Sequence, residues 1–154
     1  MHEQLLQQRP NENNIKLQYA EILSWAKHYR ASIDLYNKIL KANPNDLAAQ
    51  LGRAEVLSWD GQYDTAIAAY RNILKTQPNH EKALVGLAQI THWQGDLNQA
   101  KDQLVALRQQ FPASKVVQLE LAKTYYSRQE IKSDRKSTRL NSSHRNTSRM
   151  PSSA

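Results

Sequence analysis

From Leu47 to Trp59, apolar side chains recur at three- and four-residue steps with no breaker except Gly52. That is the pattern of an amphipathic helix. Gly61 ends it, because glycine takes the left-handed cap conformation at little cost. From Tyr63 to about Thr76 the pattern resumes, with Ala66, Ile67, Tyr70, Ile73 and Leu74 on one face, and Pro78-Asn79 breaks the chain again. The spacing therefore predicts two helices joined by a tight turn. The small Ala54 and Ala66 predict that the pair approaches closely.

The same unit recurs along the chain. Pro10, Pro44, Pro78 and Pro112 stand 34 residues apart, as do Trp25, Trp59 and Trp93, and Ala20, Ala54, Ala88 and Ala122. Tyr29 and Tyr63 keep the step with Leu97, and Tyr36 and Tyr70 keep it with Leu104. Ser32, Ala66 and Ala100 form a small-residue column, and Ile39, Ile73 and Leu107 an aliphatic one. A period of this length is that of a two-helix repeat. Gly95 is the stop in the third unit, but the first has Lys27 there. A left-handed Lys27 costs about 1 kcal/mol relative to glycine.

Composition narrows the class. Hydrophobic residues make up 40% and charged residues 23%, with four Gly and five Pro, which suits a folded helical chain and excludes collagen or a Pro/Gly linker. With no Cys, disulfides, thiolate metal sites and Cys nucleophiles are excluded. No apolar run reaches the roughly 18 residues of a membrane span. Met1-His2-Glu3-Gln4 lacks the basic and apolar regions of a signal peptide.

The net charge is +7, and +4 of it sits in residues 134–154. That segment is Ser-rich, with Leu140 and Met150 its only large apolar side chains, so it is expected to be disordered. Asp134-Arg135-Lys136-Ser137 and Thr138-Arg139-Leu140-Asn141-Ser142-Ser143-His144 resemble one reading frame of a sequencing-library adapter, and Ser148 to Ala154 continue it. Residues 133–154 are therefore read as a non-native tail and set aside. The remaining +3 is too small to indicate a basic stripe, so nucleic acid is not expected as a partner.

Gly61-Gln62-Tyr63-Asp64-Thr65-Ala66, followed by Tyr70, Ile73-Leu74 and Pro78, resembles a tetratricopeptide repeat. The resemblance covers residues 1 to about 132. It implies an all-α fold: a right-handed α-solenoid of stacked helix-turn-helix repeats, with a disordered C-terminal tail. Residues 1–10 are expected to be the end of one repeat, with Leu5 and Leu6 in register with Ile39 and Leu40. Repeats follow over 11–44, 45–78 and 79–112, and 113–132 would be the first helix of a fourth. Both ends read as cut from a longer array, since solenoid ends normally carry polar caps.

The resemblance also implies that the first helices line a concave groove. The expected stripe is Leu17, Glu21, Ser24 and Trp25 in the first unit, and Ala48, Leu51, Glu55, Ser58 and Trp59 in the second. The third supplies Val85, Gln89, His92 and Trp93, and the partial fourth Leu119, Lys123 and Tyr126. Two readings of the tryptophans stand open: packing between units, or indole faces presented to a bound chain. Some tetratricopeptide proteins clamp a C-terminal carboxylate in this groove with Lys, Arg and Asn. Leu17, Glu21, Leu51 and Glu55 do not suit that anion.

Catalysis finds no support: His28, His80 and His92 fall at different points of the repeat, and there is no Gly-rich phosphate loop or GxSxG elbow. No metal, cofactor or membrane insertion is expected. The leading expectation is a non-catalytic scaffold that holds a protein or peptide segment in its groove. A second is a glycan-contacting arm, because Leu23-Ser24-Trp25 and Leu57-Ser58-Trp59 are similar to repeat arms of bacterial polysaccharide-export proteins. That resemblance would place the chain in the periplasm or outer membrane, and otherwise the cytoplasm. A third is a regulatory array attached to an enzyme.

Overall fold

The structure is a computed structural model that describes the backbone of residues 2–147 and the side chains of residues 12–143. It contains α1 (His2–Trp25), α2 (Tyr29–Ala42), α3 (Leu47–Trp59), α4 (Tyr63–Thr76), α5 (Glu81–Trp93), α6 (Leu97–Gln110) and α7 (Lys115–Thr147). Among the described residues there is no strand, and no helix is long and apolar enough to cross a membrane. The fold is all-α, as the periodicity predicts. The chain divides into two compact units, residues 1–90 and 91–154.

In the first unit α1 packs on α2, α2 on α3, and α3 on α4. The alanine column makes this possible: Ala20, Ala54 and Ala66 are fully buried. Ser32 takes the place of Ala66 in the first pair, and its Oγ donates to the Ala20 carbonyl at 2.7 Å. Around these contacts Tyr36, Ile39, Val56, Leu57, Tyr70 and Ile73 form the core. Ile67 and Leu74 pack against it, partly buried.

The first turns close alike. The His28 N–H reaches the Leu23 carbonyl at 2.8 Å and the Gln62 N–H reaches Leu57 at 2.9 Å, in the Schellman pattern. The residue inside each loop is left-handed: Lys27 at φ 61° and Gly61 at φ 78°. The lysine therefore carries the strain that its position in the repeat foretold.

The second unit holds the end of α5, then α6 and α7, which pack together. Its turn repeats the loop, with the Asp96 N–H on the Thr91 carbonyl at 3.2 Å and Gly95 at φ 90°. Ala100, Leu104, Leu107, Val117 and Leu121 are buried.

Two elements run longer than the repeat pattern predicts. Helices α3, α5 and α7 start at capping side chains: Asp46 accepts from the Ala49 N–H at 3.1 Å, His80 Nδ1 from Ala83 at 3.3 Å, and Ser114 Oγ from Val117 at 3.2 Å. The equivalent residue in the first unit is Glu12, which is not a favoured cap and pairs with Lys16 at 2.6 Å. Without that start signal α1 continues back through residue 10 to His2, where a break was expected. The side chains of Leu5 and Leu6 lie outside the described residues.

Helix α7 likewise continues through residue 147, where composition predicts disorder. Its side chains from 129 to 143 are all exposed. The tail's hydroxyl bonds are local, such as Thr138 Oγ1 to the Asp134 carbonyl at 2.8 Å. Among its described side chains none is buried, although its backbone is helical. Residues 148–154 lie outside the described residues.

Candidate functional site

The first unit contains a cleft of about 260 Å³. Helix α1 contributes Glu21, Ser24 and Trp25, and α3 contributes Ala48, Leu51, Gly52, Glu55, Val56 and Trp59. Tyr36 of α2 and Lys82 of α5 complete the lining. Helical spacing brings Leu51, Glu55 and Trp59 to one face, and the repeat sets Glu21 and Trp25 beside them. Trp25 is 72% exposed and Trp59 43%. Both indoles therefore present much of their surface to solvent at the cleft.

The cleft is acidic. Glu55 is half-buried, and burial pushes its carboxyl above the ordinary value; Glu21 adds to that shift and Lys82 opposes it. The Tyr36 phenol is pushed up to about 12 by burial, with Glu21 and Glu55 adding to it. By formal charge, two carboxylates and one ammonium line the cleft, a net of one negative charge. Among the described residues, neither carboxylate has a hydrogen bond or ion pair. A larger depression, about 510 Å³, follows the turn Lys27–Ala31, but its Lys27, Arg30, Asp34 and Asp60 mix both signs of charge.

Several stripe residues lie elsewhere. Leu17 is half-buried and packs against the core, and Val85 is buried. Ser24 and Ser58 are buried. Ser24 Oγ donates to the Glu21 carbonyl at 2.6 Å, and Ser58 Oγ donates to the Ala54 carbonyl at 2.8 Å and also bonds Tyr70. Of this serine pair, Ser24 alone reaches the cleft lining. Gln89 is half-buried on α5 and does not line the cleft. Lys82 was missed, although the repeat held the signal: it stands 34 residues after Ala48, a stripe position.

In the second unit Trp93 is 42% exposed, and Leu119 and Tyr126 are exposed. Lys123 bonds Glu120 at 2.8 Å. His92 lies between two hydroxyls, with Nδ1 2.9 Å from Thr124 Oγ1 and Nε2 3.4 Å from Ser127 Oγ. Thr124 already donates to the Glu120 carbonyl at 2.8 Å, so it accepts from Nδ1–H. Nε2 is then left to accept from Ser127. The row works as a tie from the end of α5 to α7. Among the described residues, no group of three or more His, Cys, Asp and Glu is placed to hold a metal ion.

Residues 60–119 match the family model described as tetratricopeptide repeat. No curated protein matches the chain significantly in sequence. Among solved structures the chain resembles a tetratricopeptide repeat protein from Parabacteroides merdae (TM-score 0.69, 18% identity, covering 74% of this chain and 44% of that one). It also resembles a thermophilic tetratricopeptide repeat protein of Thermus thermophilus (0.64, 19%, 77% and 66%). A third is the second such domain of human RPAP3 in complex with the HSP70 peptide SGPTIEEVD (0.60, 19%, 75% and 98%). The chain thus spans less than two thirds of the first two proteins. Residues 60–119 thus carry the sequence match to the tetratricopeptide repeat, and the chain shares the fold of the solved tetratricopeptide repeat proteins it resembles.

Proposed function

We propose that this chain is a non-catalytic scaffold that holds a segment of a partner protein in the cleft between α1 and α3. The observation that carries this reading is the pair of exposed indoles, Trp25 and Trp59, on successive first helices beside unpaired carboxylates. Rigid aromatics offer large contact area at low entropic cost, and such residues dominate binding energy at protein interfaces. The RPAP3 domain, similar in fold, is bound to a peptide. That peptide ends in EEVD, whereas the lining here is itself acidic. The partner is therefore of a different charge class.

A displayed random nonamer library panned on the purified chain tests the reading. Enriched peptides should bind the Trp25→Ala/Trp59→Ala variant at least about tenfold more weakly, the loss expected from truncating a hot spot. Its circular dichroism should match that of the parent. If no peptide is enriched, or the variant binds as well as the parent, the cleft is not the binding surface.

A further inference from the structure

We infer that the cleft takes a guanidinium or ammonium side chain from the partner, seated against the Trp59 or Trp25 indole and paired with Glu55 and Glu21. This rests on the peptide-binding reading above and names the chemistry that the cleft selects.

Three features point the same way. The first is the charge count: Glu21 and Glu55 against Lys82 leave room for one further cation. The second is that neither carboxylate is satisfied by the protein. Glu55 is half-buried, and a desolvated carboxylate without a donor is costly to hold ionised. A partner cation would supply the missing hydrogen bonds. The third is the neighbouring aromatics. Cations are attracted to the faces of indoles, and an arginine can stack there while its fork addresses a carboxylate. An acidic or C-terminal carboxylate ligand would meet repulsion from both glutamates. A neutral ligand would leave Glu55 buried and unpaired.

Lys82 sharpens the inference. Its ammonium opposes the shift on Glu55 without forming an ion pair with it. It therefore acts as a weak internal competitor for the place of the incoming cation.

The test uses the enriched nonamers from the library on the full chain. They should carry Arg or Lys at one position, and replacing that residue with citrulline or norleucine should weaken binding at least about tenfold. Glu55→Gln should weaken binding to a similar degree, and Lys82→Ala should strengthen it. Binders sensitive to Trp59→Ala yet indifferent to citrulline and to Glu55→Gln would overturn the cation site and leave the peptide groove standing. An empty library would overturn both. A neutral chito-oligosaccharide that quenches Trp fluorescence at lower concentration than the cationic peptides would also overturn it, in favour of a glycan.

Discussion

The ring of Tyr36 lies over Gly52: a methyl group built on Gly52 would fall 2.5 Å from Tyr36 Cζ and Oη. Tyr70 covers Gly86 in the same way one repeat later. At the third register the pair is Leu104 and Glu120, with both partners changed together. The aromatic ring thus fills the space that the missing side chain leaves, and each keeps the other's identity.

Gly52→Ala should accordingly destabilise the chain by about 1–3 kcal/mol, the usual cost of overpacking. Tyr36→Leu in the same chain should recover part of it, since leucine already stands at the third register. Urea denaturation of the two single variants and the double variant measures the coupling. Additive losses would show that the ring and the glycine do not meet.

Lys27 occupies a left-handed position at which the second and third repeats use glycine. Lys27→Gly should stabilise the chain by about 1 kcal/mol, somewhat offset by the freer unfolded chain. Gly61→Ala should cost a comparable amount. Both are read from denaturant midpoints with unchanged slope.

The sign for Glu55 follows from its raised pKa. The folded state holds that proton more tightly than the unfolded chain, so ionisation opposes folding. Stability is full below the ordinary carboxylate value of 4.5 and falls as pH climbs through the window up to the raised value. Glu55→Gln should therefore raise the melting temperature at pH 7 and lose that advantage near pH 4. A gain in stability paired with a loss of peptide binding would mark Glu55 as a residue kept for function.

Side chains from 129 to 143 are exposed, and the hydroxyls of Thr138, Ser142 and Ser143 each donate to a carbonyl of their own helix. Deleting residues 136–154 should change the unfolding free energy by less than about 0.5 kcal/mol. Thermal unfolding of the shortened chain checks this.

Much of the fold is legible in the 34-residue columns, because a packed helix pair needs small residues where the helices cross and breakers where they end. Ala54 against Ala66 and the left-handed turns at Gly61 and Gly95 follow from that need alone. Less visible is what a start signal does when it is missing. Pro10 looks like Pro44, but Glu12 lacks the short acceptor that Asp46 offers, and α1 runs on.

The site is legible in part. Periodicity places Glu21, Trp25, Leu51, Glu55 and Trp59 on one face and in one cleft. It does not tell which neighbours cover that face. Ser58 turns inward to its own helix's Ala54 carbonyl, Val85 is buried in the core, and His92 is drawn to Thr124 and Ser127, contacts distant in sequence. Tyr36 entered the lining because Gly52 let its ring through, a pairing visible only once the helices are packed.

The most direct measurement of the central claim follows the indole N–H resonances by NMR while an enriched arginine-bearing peptide is titrated. The account predicts saturable shifts of the Trp25 and Trp59 indoles and of the α1 and α3 amides near Glu21 and Glu55. Shifts confined to α2 and α4, with both indoles unmoved at saturation, would contradict it.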